Sequence, residues 1–162
     1  MRKHAVWERR LVWGAASALL VLGFSLWSCS GMYRNSARND YIYGEMNGFT
    51  HNQPLEQVWA AARVLLFESG FQTRDAGGGY YLETEWSSEP NSKIRYRYML
   101  TGVAQGTGCT VYFTKDTENS SGSASTGRDY AMEWELVKRV DPQRAAKISS
   151  DAEAYAHSLY PD

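Results

Sequence analysis

An uncharged run of eighteen residues, Leu11–Ser28, constrains this 162-residue chain more than any other feature. A basic segment precedes it, with four Lys or Arg residues and one Glu. A positive end followed by an apolar run is typical of an export signal, and the run is slightly shorter than the ~20 residues of a membrane-spanning helix. Because the positive end stays in the cytoplasm, we expect the rest of the chain to fold outside it.

The run leads into the segment Leu26-Trp27-Ser28-Cys29-Ser30. This segment resembles the lipobox of bacterial lipoproteins, in which a Leu and a small residue precede the acylated Cys. The resemblance implies that residues 1–28 are a signal peptide and that Cys29 carries the acyl chains, palmitate among them, that anchor the protein to a membrane. Ser30 stands where an Asp would resemble an inner-membrane retention signal, so the outer membrane is the expected location. The bulk of Trp27 leaves an uncleaved signal anchor as the alternative.

The remaining residues form a mildly acidic chain. Removing the four basic residues and one acidic residue of the signal segment from totals of 17 and 18 leaves 13 basic and 17 acidic residues. A chain with this balance has no basic face for nucleic acid. Acylation of Cys29 leaves Cys109 without a partner for a disulfide. We therefore expect one domain of about 100 residues that is held together by packing alone.

Helical spacing identifies the clearest element of this domain. Residues 29–46 are polar and show little periodicity, which predicts a lipidated tether, and a short first strand is expected near Asn47–Thr50. An apolar stripe with Trp59 on its flank then predicts a helix over residues 55–69 that Gly70 terminates. We expect Trp59 to lie between this helix and the sheet.

From Phe71 the apolar residues recur with a period of two, which predicts consecutive antiparallel strands with one wet face. In the segment 80–86 this alternation places Trp86 on the inner face. The Ser/Gly-rich stretch Asp116–Gly127 predicts a mobile loop, and two helices follow, over 129–139 and from Pro142 onwards. This order predicts an α+β fold for residues 47–162, a two-layer sandwich with an antiparallel sheet of about four to five strands and helices on one face.

No pattern in the sequence indicates catalysis. His51 and His157 stand outside any recognisable motif with a nucleophile or metal ligands, and Cys109 is expected to be a small buried hydrophobe on an inner strand face. The glycines at 77–79 join two strands and precede no helix, so they predict a hairpin turn and not a phosphate loop. We expect no enzyme activity, no cofactor and no metal site.

The wet face of the sheet offers the sharper hypothesis. Tyr81, Arg95, Arg97 and Tyr112 would share this face, and aromatic and Arg residues are enriched where proteins bind partners. We therefore predict a partner surface at these four residues. The ordinary alternative is that strands favour Tyr and that Arg95 and Arg97 pair with Glu residues of neighbouring strands.

Residues Gln53–Trp86 resemble the repeated domain of the BamC/NlpB group of outer-membrane lipoproteins. The matching positions are Val58, Trp59, Leu66, Gly70, Phe71, Thr84, Glu85 and Trp86. BamC is an accessory part of the β-barrel assembly machine and has two such domains, whereas this chain has one. The resemblance implies a single BamC-like domain, and since the matching residues build a core, it bears on fold more than on function.

These observations predict a non-enzymatic envelope lipoprotein that acts as a binding or scaffold module, in a process such as outer-membrane protein assembly. The expected partners are the membrane, through the acyl chains, and an envelope protein or glycan. The alternative is a binding protein for a small apolar ligand or lipid, which would occupy a groove between the first helix and the sheet.

Overall fold

The computed structural model describes residues 31–75, 78–88 and 90–161, so the signal segment, Cys29 and part of the glycine turn lie outside the described residues. The first helix, α1, covers residues 31–46. The later elements are α2 Leu55–Glu68, β1 Thr73–Asp75, β2 Tyr81–Thr84, β3 Ser87–Ser88, β4 Ile94–Gln105, β5 Gly108–Asn119, β6 Ala124–Arg128, α3 Tyr130–Val140 and α4 Pro142–Leu159.

The six strands form one antiparallel sheet in the order β1-β2-β4-β5-β6, and β3 pairs with β4 beside β2. The long hairpin of β4 and β5 is the centre of this sheet, with a continuous register from Ile94↔Asn119 to Gln105↔Gly108. The α+β class predicted from the sequence is confirmed, with six strands where about four to five were expected.

The helix α2 forms where its apolar stripe predicts it. Its buried positions recur every three to four residues, as a helix that rests on a sheet requires; they are Leu55, Val58, Trp59, Ala62, Leu65 and Leu66. Gly70 ends the helix at a φ of +84°, a conformation that costs glycine little.

A glycine in the sheet allows α2 to approach β4 closely. A Cβ at Gly102 would stand 2.9 Å from Leu55 Cδ1 and 3.2 Å from Trp59 Cε3. The inner face of the sheet otherwise presents buried Leu82, Tyr98 and Leu100 to the helix. The space between α2 and the sheet is therefore filled by side chains.

A second apolar cluster joins the other three helices. Its buried members come from α1, from the segment after it, and from α3 and α4; they are Ile42, Met46, Phe49, Trp134, Val137, Ala145, Ile148 and Ala152. Asp129 and Asp141 cap the N-termini of α3 and α4, and their side chains accept hydrogen bonds from the amides of Met132 and Arg144.

The prediction of a tether is wrong for residues 31–46, which form α1 and belong to the packed domain. Ala37, Ile42 and Met46 of this helix are buried, and the last two belong to the second apolar cluster. Three buried positions among many polar ones are too few to give a clear amphipathic pattern, so the helix could not be recognised from the sequence. The strand expected near residues 47–50 is also absent: only His51 pairs there, in a single bridge to Cys109.

The prediction of a mobile loop over Asp116–Gly127 is wrong as well. The β5 strand continues to Asn119, and residues 124–128 return as β6. The Asn119 side chain organises the turn, since its Oδ1 accepts hydrogen bonds from the amides of Ser121 and Ser123 at 3.0 Å. Gly122 supplies the positive φ of +83°. Ser and Thr suit such an exposed edge once a neighbouring strand is present to pair with them.

Candidate binding surface

The strand register places the four predicted surface residues on the same side of the sheet, opposite the helices. Tyr81, Thr101 and Tyr112 lie side by side across β2, β4 and β5. Arg97 and Arg95 follow at alternate positions of β4, facing Asp116 and Glu118 of β5. We call this side of the sheet the outer face. At the centre of the sheet its side chains are half-buried or exposed, whereas Thr110, near one end of this face, is buried.

Trp86 joins this surface, contrary to the prediction that it packs inside. Its side chain is 38 % exposed. The guanidinium carbons of Arg95 and Arg97 lie 4.7 and 5.0 Å from the centre of its ring, which is cation–π geometry. The strand is interrupted between Thr84 and Ser87, so the alternation that predicted an inward Trp86 is lost at this break.

The arginines of the outer face are paired with carboxylates and do not form a free positive patch. Arg97 lies 2.8 Å from Glu83 and 3.2 Å from Asp116, and Arg95 lies 2.8 Å from Glu118. The predicted pairing of arginines across strands is therefore present, with β5 supplying most of the acidic partners. The charges of this region nearly cancel, and the indole of Trp86 is an exposed apolar group beside them.

Tyr81 completes the network on β2. Its hydroxyl donates a hydrogen bond of 2.8 Å to Oε1 of Glu83. This hydrogen bond raises the pKa of Tyr81 and lowers the pKa of Glu83, which also accepts a hydrogen bond from Arg74. The phenol and the carboxylate thus hold each other in place, and neither is poised to exchange a proton near neutral pH.

Tyr112 belongs to a separate part of the outer face, beside an ion pair that the sequence did not indicate. The guanidinium carbon of Arg128 lies 4.5 Å from the Tyr112 ring centre and 4.9 Å from that of Tyr130. Arg128 forms a salt bridge with Glu133, which is only 5 % exposed. Burial raises the pKa of Glu133, although the Arg128 guanidinium opposes this effect. The partners lie on a strand and a helix, so no local spacing rule could have found them.

The backbones of His51 and Cys109 also meet in the structure. The amide of His51 donates a hydrogen bond of 2.8 Å to the carbonyl of Cys109, and the amide of Cys109 donates one of 3.0 Å to the carbonyl of His51. His51 is 3 % exposed, and burial, aided by the charge of Arg144, lowers its pKa to about 4, with Asp141 opposing. Burial raises the pKa of the Cys109 thiol. A thiol with a raised pKa is a weak nucleophile, and an imidazole with a lowered pKa is a weak base, so neither group is activated.

Two polar atoms of this interior have no hydrogen-bond partner among the described residues, Nδ1 of His51 and Oε1 of Gln53. Within the same part of the chain, no three His, Cys, Asp or Glu residues form a group that could hold a metal ion. The surface there carries open grooves, one of which, at about 500 Å³, lies beside Arg95 and Glu118.

No family model, curated protein or solved structure matches this chain. Among the described residues, no helix combines the length and the apolar character needed to cross a membrane.

Proposed function

We propose that this protein is a non-enzymatic outer-membrane lipoprotein, anchored through Cys29, whose outer face binds a protein of the cell envelope. The single observation that carries the binding proposal is the exposed Trp86 ring in cation–π contact with Arg95 and Arg97. Trp and Arg are the residues most enriched at the energetic centres of protein interfaces. Here they stand together on the outer face of the sheet, where the Trp86 side chain is 38 % exposed among the described residues.

The paired charges favour a protein partner. The guanidinium groups of Arg95 and Arg97 are already held by ion pairs, with Glu83, Asp116 and Glu118. These two arginines therefore lose little side-chain freedom when a partner binds. The BamC/NlpB-like segment and the lipobox support a location at the outer membrane and a role in envelope assembly. A glycan that stacks on the indole is the alternative partner.

The filled space between α2 and the sheet weighs against the other hypothesis, a carrier of a small apolar ligand or lipid. Leu55 and Trp59 already contact the sheet at Gly102. A ligand would have to displace these side chains, which form part of the main core.

A photo-crosslinking amino acid in place of Trp86 tests the proposal in intact envelopes. The matched control is the same amino acid at Phe67, an aromatic residue of α2 that is 77 % exposed and lies on the opposite layer. We expect a discrete adduct from position 86 and none of that size from position 67. Trp86→Ala should reduce recovery of the same partner, while Phe67→Ala should not. Equal adducts from both positions would contradict the proposal, and a glycan adduct would redirect it.

Charge reversal is a less suitable test. Replacing Arg97 with Glu would set a third carboxylate beside Glu83 and Asp116, and the repulsion would disturb the sheet itself. A loss of binding could then reflect misfolding. Trp86→Ala removes a ring that is 38 % exposed together with its two cation–π contacts, and it removes no member of an ion pair.

A further inference from the structure

The β6 strand is the open edge of the sheet. It pairs with β5 on one side, and no strand of the described residues lies on its other side. The other edge strand, β1, is only three residues long. Exposed edges usually carry Pro, an inward-pointing charge or a bulge that prevents pairing with another chain. The β6 sequence, Ala-Ser-Thr-Gly-Arg, has none of these over its first four residues.

The register identifies which backbone groups are available. Ser123 and Asp129 bond to Asn119 and Phe113 of β5, in the same register as the strand pairs between them. In an antiparallel ladder the hydrogen-bonding residues alternate. Ser125 and Gly127 therefore direct their N–H and C=O groups to β5, while Ala124, Thr126 and Arg128 direct theirs outward.

The side chains of β6 are held by β5 and do not obstruct this edge. Thr126 donates a hydrogen bond of 2.6 Å to Oδ1 of Asp116, and the hydroxyls of Ser125 and Thr117 lie 2.7 Å apart. Residues 124–127 are all exposed. Within the described part of the chain, β6 is thus held against β5 and its outer edge is open to a strand.

We propose that β6 pairs with β6 of a second copy of this chain, antiparallel, with Thr126 opposite Thr126, so that two sheets become one. The outward groups of residues 124, 126 and 128 face their counterparts at 128, 126 and 124 in this register. The inference is independent of the proposed partner surface and of lipidation.

The distribution of charge along β6 favours a second copy as the occupant. The two strands bring uncharged residues together at the centre, and the one charged residue, Arg128, stands opposite Ala124 of the second copy. Glu118 lies next to Ala124 on the adjoining strand and on the same face. Within each chain Arg128 is already paired with Glu133, and Glu118 with Arg95, so neither end of the joint carries an unpaired charge. No like charges meet.

Cysteine crosslinking of the full chain in detergent tests this register. Facing residues in such a pair are about 5.5 Å apart at Cα, which permits a disulfide. Thr126→Cys should give a covalent dimer on mild oxidation, several-fold more than Thr107→Cys, an exposed position in the β4–β5 turn. The Thr107→Cys variant measures the background of covalent dimer that arises from random collision or from two chains in one micelle.

A mixing experiment makes the test specific to the register. Residue 125 faces residue 127 of the other copy, whereas two copies of residue 125 are diagonal, about 7–8 Å apart, too far for a disulfide. Neither Ser125→Cys nor Gly127→Cys should crosslink alone, but the two together should. A Cβ at Gly127 meets nothing within 4 Å, so that variant should fold.

Thr126→Pro tests the same pairing of β6 with β6 by preventing it. The amide of Thr126 points outward, so proline at this position removes no backbone hydrogen bond to β5, only that of the Thr126 hydroxyl to Asp116, and it blocks strand addition. We expect the variant to melt cooperatively and to sediment as a monomer where the parent is a dimer. A parent that is monomeric at all concentrations, or Thr126→Cys that crosslinks no more than Thr107→Cys, would overturn the proposal. If β6 instead binds a strand of another protein, the purified parent would be monomeric at all concentrations, and this result would also overturn the proposal.

Discussion

Acidification should destabilise this fold through His51, well above the pH at which most carboxylates titrate. In the folded protein, burial and the charge of Arg144 lower the pKa of His51 from 6.5 to about 4. The unfolded chain therefore takes up a proton at a pH where the folded chain does not. Stability is complete above the unfolded pKa and declines as the pH falls from there towards the folded pKa.

The size of the effect follows from the two pKa values. At about 1.4 kcal/mol per pKa unit, the full loss is about 3 kcal/mol. Integration of the linkage relation gives a loss of about 2 kcal/mol between about pH 7.5 and pH 5. This is a substantial fraction of the roughly 5–15 kcal/mol by which small domains are stable.

Urea unfolding of the purified protein at these two pH values measures the loss. His51→Gln cannot be protonated, so its free energy of unfolding should fall by about 2 kcal/mol less than that of the parent over this range. His157→Gln is the matched control, because His157 is exposed on α4 and its variant should follow the parent. If the His51→Gln variant and the parent lose the same stability, His51 is not held neutral by the fold.

Three further outcomes are expected. Arg128→Ala should cost about 3–5 kcal/mol, since it leaves a buried carboxylate unpaired, whereas Arg95→Ala should cost about 0–1 kcal/mol; equal costs in urea melts would refute this. Trp59→Ala should cost about 3–5 kcal/mol and Trp86→Ala about 1 kcal/mol, because only the first ring is in the core; a reversed order in the same melts would contradict the assignment. Cys29→Ala should abolish labelling by a clickable fatty acid, and labelling equal to that of the parent would exclude the lipid anchor.

Local periodicity determined much of this fold. The stripe of α2, the stop at Gly70 and the alternation of β4 are visible in the sequence because each buries one continuous face against one neighbour. A period of 3.6 or of 2 then records the burial directly. The composition of the outer face was likewise predictable, since Arg95 and Arg97 occupy the polar phase of β4.

Only the tertiary structure decided the features that depend on distant parts of the chain. Residues 31–46 are helical because α3 and α4 receive a few of their side chains, and β6 is a strand because β5 extends beside it. Trp86 faces outward because a break in the strand changes its phase. The Arg128–Glu133 pair and the burial of His51 likewise arise from segments that meet only on folding. The hydrophobic periodicity within a helix or strand can be recognised along the sequence. The pairing between elements has no local signature, because it depends on which surfaces the folded chain brings into contact.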